Sequence, residues 1–465
     1  MRRVSGLDSA FLYGETAAWH MHVSALLVLE PPPGGFDTGR LIDVLASRIH
    51  RVPQFRWKLV QVPLGLDRPM WVDDPDFELS DHVRRVGCPG PGGPRELEEL
   101  VGELIGMKLD RTRPLWEVWV VDGLIGGQVA LLAKVHHALI DGVSGSELVQ
   151  LLFDLEPEPE LEAPVPWDPT ADADATPSSL QLLGMGVGAL ASIPGQMWKL
   201  GRSFTRQART VAGFLAHETV PAMPFAVPRT PLNAELGPRR SFASAEVDLA
   251  EVKDLKDSFG VTVNDAVLAL CSGALRRYLV DEGALPELPL VAQVPVSTRT
   301  AADHQGDGTK VGAMFASLAT HLDEPGARLR AINESTRAAK EMRASLQRDR
   351  PVGITDALPP AAIMLAARAL SASQMQARAP VFNVIVSNVP GPDFPLYVAG
   401  SELVALYPMG PLLYGAGLNV TVMGYRSSLH FGFLTCRSVV PEPQRMADGV
   451  HLELKDLREA ATAGP

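Results

Sequence analysis

The stretch of this chain richest in reactive groups is KVHHALIDG, residues 134–142. His136 and His137 are adjacent there, and Asp141-Gly142 follows after a short apolar spacer. An imidazole is a useful general base because its unperturbed pKa, about 6.5, lies near working pH. To serve as one, its ring must be held in one tautomer and one direction. Asp141 either does this directly or pairs with an arginine and braces the loop that fixes the ring. Gly142 permits a tight turn that a Cβ hinders. The preceding segment GQVALLAKVH, 127–136, reads as a strand, and neighbours on a strand point to opposite faces. One histidine is therefore expected to face a reaction channel while the other packs inside. Rings that diverge do not converge on a metal, and no third ligand stands at a helical or tight-turn spacing, so no metal is expected. Without the Asp-Gly, the pair would read as two ordinary polar residues at a strand end.

Other residues with chemical potential must be positioned by the surrounding elements. VTVNDAVLALCSGALRRYLV, 261–280, reads as a long helix in which Thr262 and Asp265 match a capping box, with Asp in place of the usual Glu. Asn264 falls in its first turn, where free N–H groups and the helix dipole favour negative charge. Its amide either helps stabilise an oxyanion or belongs to the cap alone. SGSELVQLLFDL, 144–155, reads as a helix with Ser144 or Ser146 as N-cap; SGS is not a nucleophile elbow. Pro114-Leu115-Trp116 reads as core ahead of a strand. Ser387-Asn388, just before Pro390-Gly391, reads as a strand-ending turn. LPLVAQVPVSTR, FNVIVSNVPGP and LNVTVMGYRSSLHFGF read as strands ending in turns or a hairpin. The result is an α/β (α+β) mixture without the regular alternation of a doubly wound sheet. Neither a G-x-G-x-x-G nor a G-x-x-x-x-G-K-[ST] cradle is present.

A chain of 465 residues, 46% hydrophobic and 21% charged, is long and apolar enough for two or three folded domains. Its formal net charge of -12 argues against nucleic acid as the main partner. Cys88, Cys271 and Cys436 lie far apart, which makes neither a disulfide framework nor a thiolate metal site and fits a reducing cytoplasm. The start, MRRVSGLDSAFLYGE, lacks the apolar run and cleavage site of a signal peptide, and no purely apolar run is long enough to span a bilayer. The acidic, proline-rich 156–177 and the proline-rich 220–238 divide the chain into an N-terminal lobe (1–177), a connector (178–238) and a C-terminal lobe (239–465). Within the connector, Met197, Leu200, Phe204, Ala208, Val211 and Leu215 recur at helical spacing, with Lys199, Arg202, Arg206 and Arg209 as a second stripe. That stripe is either the solvated face of a packed helix or a contact with an anionic membrane or ligand.

HHALIDG resembles H-H-x-x-x-D-G, the motif of the acyltransferase superfamily with the chloramphenicol-acetyltransferase-like fold, which includes peptide-synthetase condensation domains. Further stretches sharpen the likeness: GLDSAFLYGET…MH (6–22), RPLWE (113–117), VNDAVLA (263–269), PVSTR (295–299) and VSNVPGP (386–392). Together they resemble the bacterial wax ester synthase/acyl-CoA:diacylglycerol acyltransferase family through nearly the whole chain. The resemblance implies two chloramphenicol-acetyltransferase-like lobes with a substrate channel between them. It implies His137 as general base, with His136, Asp141, Gly142 and Asn264 in the catalytic group. It places Pro114, Leu115, Trp116, Asp265, Ser387 and Asn388 along the substrate path. Asp141 is expected to be braced by Arg56 in RVPQFRWKL, or else by Arg299 in PVSTR. The implied reaction moves a long-chain acyl group from acyl-CoA to diacylglycerol or a fatty alcohol, with acyl-CoA as substrate and no cofactor. The expected location is cytoplasmic, with peripheral contact to a membrane or lipid droplet through 178–216. The sequence departs from the family at GDGTKVG, 306–312, where Gly-Asn is usual. Two other readings are a condensation-type enzyme using carrier-bound thioesters and a non-catalytic lipid-binding protein.

Overall fold

The computed structural model describes residues 2–63, 67–140, 151–163, 227–297, 311–347, 365, 369 and 379–463. The first half supplies strands β1 (Arg2–Arg3), β2 (His22–Glu30), β3 (Trp57–Val60), β4 (Met70–Asp73), β5 (Val83–Gly87), β6 (Trp116–Asp122) and β7 (Val129–His136). Its helices are α1 (Gly6–Gly14), α2 (Thr38–Arg48), α3 (Pro94–Gly106) and the short α4 (His137–Ile140). The second half supplies β8 (Arg240–Asp248), β9 (Val291–Ser297), β10 (Val311–Ser317), β11 (Val384–Val389), β12 (Tyr397–Val398), β13 (Ser401–Met409), β14 (Leu418–Tyr425) and β15 (Ser428–Cys436). Its helices are α5 (Leu249–Phe259), α6 (Val263–Asp281), α7 (Pro325–Gln347) and α8 (Gln444–Ala463).

Two six-stranded sheets carry the fold. One has the order β12-β13-β2-β7-β6-β5, the other β10-β9-β11-β14-β15-β8; a three-stranded sheet β1-β4-β3 stands apart. Most pairs are antiparallel, with parallel pairs at β5–β6, β9–β11 and β11–β14. The strand segments expected from alternation are all found, and LNVTVMGYRSSLHFGF is the hairpin β14–β15, in register from Tyr425↔Ser428 to Leu418↔Thr435. The helix expected over 261–280 is α6, with the capping box of Thr262 and Asp265 in place. It is buried because its length is apolar on several faces rather than on one stripe; Leu268, Cys271 and Leu275 share one core cluster with Val420, Phe431 and Phe433 of the second sheet.

The sheets are not divided by chain order. The first sheet takes β12 and β13 from residues 397–409, and β13 pairs with β2 from Glu402↔Glu30 to Met409↔Ser24 through a bulge at Leu403/Ala405. Gly432 permits the close approach: a Cβ there would fall on the Pro408 carbonyl. Conversely, α3 of the first half lies across β8, the end strand of the second sheet. Gly102 brings the helix within reach of the Arg240–Phe242 backbone, and Glu98 accepts from Ser244 N at 2.8 Å and Ser244 Oγ at 2.7 Å. An edge strand's free N–H is thereby satisfied and covered. A core cluster of Trp19, Met21, Leu26, Leu104, Phe242, Met409, Leu412 and Leu434 joins the two halves. Among the described residues, no single helix is long and apolar enough to cross a membrane. The expected helix 144–155 lies mostly outside the described residues, and the connector helix wholly so.

Candidate active site

β7 runs antiparallel to β2 and ends with His136 opposite His22. The strand stops there because the next residue opens α4. His136 is 1% exposed. Its backbone N–H donates to Leu115 O at 2.9 Å. Its Nδ1 accepts the N–H of Ala138 at 3.1 Å, so Nδ1 is unprotonated and the ring's hydrogen sits on Nε2. Nε2 then donates to Glu15 Oε1 at 3.2 Å. One side chain thus caps the turn that begins at His137 and ties it to the end of α1. Burial lowers the pKa of His136, against the pull of Glu15, so the ring is neutral at pH 7. The resemblance placed His136 in the catalytic group; in the structure both its ring nitrogens are engaged and the ring is closed off from solvent.

His137 is half-buried, and its ring stands edge-on to Phe11 with centroids 5.3 Å apart. Its N–H donates to Met21 O at 2.7 Å. The expected division of the pair, one ring inside and one toward a channel, therefore appears as a difference in burial. It arises from a strand-to-helix transition between the two residues rather than from alternation along a strand.

Glu15 is the hub of the surrounding charge. Its Oε1 also accepts from Met21 N at 3.0 Å, and its Oε2 pairs with Arg111 Nη2 at 2.6 Å, with Lys108 Nζ at 3.8 Å. Arg111 Nη2 reaches Leu12 O as well, at 2.6 Å, so it clamps the 108–114 loop to α1. Burial alone would raise the Glu15 carboxyl. The hydrogen bonds from His136 and the Met21 N–H, with the Arg111 charge, hold it well below the usual carboxylate range. Behind it stand two further buried imidazoles, His20 and His22, with ring centroids 4.9 Å apart. Burial, with the positive charge of Arg240, depresses His20 to about 4; burial and Lys134 hold His22 well below its ordinary value. Lys134 itself is wholly buried and donates to Glu117 Oε1, Leu104 O and Met107 O. Neither Glu15 nor Arg111 was picked out by sequence reasoning. The only available signal was that Glu15 lies inside GLDSAFLYGET and Arg111 just ahead of RPLWE, both stretches already noted.

Several expected substrate-path residues make contacts within the protein. Pro114, Leu115 and Trp116 are buried. Trp116 Nε1 donates to Phe55 O at 2.7 Å and its ring stacks on His82, so this segment is core that carries the β6 end beside His136. Asp265 is fully buried: Oδ2 accepts from Thr262 N, Thr262 Oγ1 and Asn333 Nδ2, and Oδ1 from Thr336 Oγ1, which leaves no face for a substrate. Burial would raise this carboxyl, but these donors hold it low, and it ties α6 to α7. Asn264, the second residue of α6, is half-buried, as are Ser387 and Asn388. Those two lie inside β11, opposite Thr421 and Val422, rather than in the turn after it. The turn follows at Pro390-Gly391, where a Cβ on Gly391 would strike the Gly424 carbonyl. Among the described residues, none of Asn264, Ser387 and Asn388 belongs to the hydrogen-bonded group around Glu15. Arg56 is half-buried at the end of the turn Pro53–Arg56, where burial lowers its pKa against the pull of Asp73. Asp141, Gly142 and Arg299 lie outside the described residues, and with them the expected brace.

A two-sheet fold with strands exchanged between halves, and a histidine pair at a strand end with one ring buried and the next half-buried, defines the class of the acyltransferase and condensation-domain fold. The first condensation domain of the CDA synthetase superposes over 99% of this chain and 95% of its own, with a TM-score of 0.56 at 14% identity, a likeness of fold alone. Within that class, the wax ester synthase/diacylglycerol acyltransferase catalytic domain matches residues 4–267, and the WS/DGAT C-terminal domain matches residues 307–458. A putative diacylglycerol O-acyltransferase of Mycobacterium tuberculosis is 38% identical over 480 residues, covering 100% of this chain and 92% of the relative. The wax ester synthase/diacylglycerol acyltransferase of Marinobacter aquaeolei VT8 superposes with a TM-score of 0.71 at 31% identity, covering 99% and 100% of the two chains. This chain belongs to the wax ester synthase/diacylglycerol acyltransferase family.

Proposed function

We propose that this protein transfers a long-chain acyl group from acyl-CoA to the hydroxyl of diacylglycerol or a fatty alcohol, with His137 as general base. The observation that carries the assignment of the base is the fixed His136 ring. It pins the first turn of α4 through Ala138 N–H and leaves the next imidazole as the half-exposed one. A ring nitrogen of His137 takes the acceptor's hydroxyl proton while the oxygen bonds to the thioester carbonyl carbon. The tetrahedral oxyanion collapses, the carbon–sulfur bond breaks, and the imidazolium returns the proton to the CoA thiolate. The products are the ester and free CoA, and no cofactor enters the balance. Such general-base help is worth about 10²–10⁴-fold. The Asn264 amide, at the start of α6, is assigned to the oxyanion.

The test is a radiolabelled palmitoyl-CoA assay on purified protein, with hexadecanol and dioleoylglycerol in parallel and His137→Ala as the blank. Product that vanishes in the blank supports the reading, and the ratio of lanes names the preferred acceptor. Turnover that survives in the mutant refutes the base. Because the acceptor is a lipid, we also assign peripheral contact with the cytoplasmic face of an anionic membrane or a lipid droplet to the 178–216 segment, through Lys199, Arg202, Arg206 and Arg209. Charge reversal at Arg202 and Arg206 should weaken sedimentation with anionic vesicles; unchanged binding removes that assignment.

A further inference from the structure

The loop from Glu15 to Met21, between α1 and β2, touches both halves of the protein. Its two ends hold the histidine pair: Glu15 Oε1 takes the His136 Nε2 hydrogen, and Met21 O takes the His137 N–H. Its middle is held by the second half. Arg240, at the start of β8, donates through Nη2 to Ala18 O at 2.6 Å. Trp19 Nε1 donates to Leu412 O at 2.8 Å, and the Trp19 ring packs on Tyr414 with centroids 4.7 Å apart. Thr16 Oγ1 shares a hydrogen bond of 3.1 Å with Tyr414 Oη.

The loop is stiff enough to pass a displacement from its middle to its ends. Thr16 N donates to Trp19 O at 2.8 Å, and Thr16 Oγ1 accepts from Ala18 N and Trp19 N at 3.2 and 3.1 Å, which closes the turn. Gly14, at the end of α1, leaves room for the Trp19 ring, which a Cβ would overlap. Trp19 is 8% and Arg240 5% exposed, so a donor released on either side chain finds little water.

We infer that this loop is a strap through which the second lobe sets the direction of His137, and that Trp19, Arg240 and Tyr414 are positioning residues for the transfer. The inference rests on the proposed function for its meaning, since a base is aimed only if it reacts. It places part of the active-site geometry in the seam between lobes, 240 and 412–414 on one side and 15–21 on the other. A misplacement of about 1 Å at a catalytic group costs on the order of a hundredfold, so a small shift of the strap is enough to be read.

The experiment compares Trp19→Phe, Arg240→Lys and Tyr414→Phe with wild type in two ways. The first is turnover with palmitoyl-CoA and dioleoylglycerol, resolved into kcat and KM and expressed per folded protein. The second is labelling by diethyl pyrocarbonate, with His136 and His137 separated by peptide mass mapping. A positioning role predicts that kcat falls by about fivefold or more while KM for palmitoyl-CoA stays within about twofold. It also predicts that His136, protected in wild type, becomes labelled. Wild-type kcat with His136 still protected overturns the inference. So does a loss of activity that only follows the loss of folded protein, which would make these bonds mere glue between the lobes. If Trp19→Phe does not fold, Arg240→Lys and Tyr414→Phe carry the comparison. A wild-type protein without acyl transfer refutes the proposed function, and the labelling still decides whether the strap holds the pair.

Discussion

Removing Glu15 should uncouple the histidine pair from α1, and the size of the effect follows from the donors it satisfies. Glu15→Ala leaves Met21 N–H and His136 Nε2–H without an acceptor, both buried. Each orphaned donor costs about 1–3 kcal/mol. Arg111 keeps its bond to Leu12 O and has about a third of its side chain in solvent, so its share is small. The total is about 4 kcal/mol, a large part of the 5–15 kcal/mol that typically holds a folded chain together. Glu15→Gln keeps an oxygen for Met21 and His136 and turns an NH2 toward Arg111, at a cost of about 1–2 kcal/mol. Because the folded state holds this carboxyl well below its ordinary value, its contribution is complete at neutral pH. It fades only as the pH falls below the unfolded value of about 4.3 and on through the lower folded one. Urea unfolding followed by tryptophan fluorescence should therefore give midpoints in the order wild type, Gln, Ala. Per folded protein, turnover should fall in the same order. If Gln falls as far as Ala, the net charge and not the oxygen that accepts the two N–H groups carries the effect. If neither variant differs from wild type, the hub assigned to Glu15 is wrong.

His136→Ala should lower the melting temperature and impair turnover in proportion to the disorder of α4, whereas His137→Ala should fold normally and lose at least about a hundredfold in rate. Equal rate loss with equal stability would mean that His136 reacts directly. Burial pushes Glu98 up to about 6, against its two Ser244 donors. Between the unfolded value of about 4.3 and that folded value, the folded chain binds more protons, so this group's contribution to stability falls as pH rises through the window. Glu98→Gln should therefore stabilise the protein by about 1–2 kcal/mol at pH 7 and lose that advantage toward pH 4.5; denaturation curves at the two pH values check the sign. Asp265→Ala takes the acceptor from Thr262 N, Thr262 Oγ1 and Asn333 Nδ2, while Thr336 Oγ1 keeps Asn333 O, and should destabilise the α6–α7 packing by about 3 kcal/mol, measured by thermal unfolding. A normal melting temperature with lost turnover would return Asp265 to the substrate path.

What could be read from the chain alone was whatever depends on local pattern. The alternation of LNVTVMGYRSSLHFGF marks a hairpin, Thr262 with Asp265 marks a helix start, and HHALIDG with RPLWE and VSNVPGP marks the family. These signals survive because register, capping and motif are set by neighbours a few residues apart. Tertiary structure decided which groups surround His137. Glu15 and His136 are 121 positions apart and meet only because β2 and β7 pair at their ends. Trp19 finds Leu412 across 393 positions because β13 crosses into the first sheet. Periodicity carries no record of such meetings. The same limit explains Pro114, Leu115, Trp116 and Asp265. Their stretches stand out in the sequence, but whether a side chain there faces substrate or core depends on what folds over it. The pair at 136–137 shows both halves of the lesson: adjacency promised one buried ring and one presented ring. Only the end of β7 and the start of α4, with Glu15 behind them, decided how each is held.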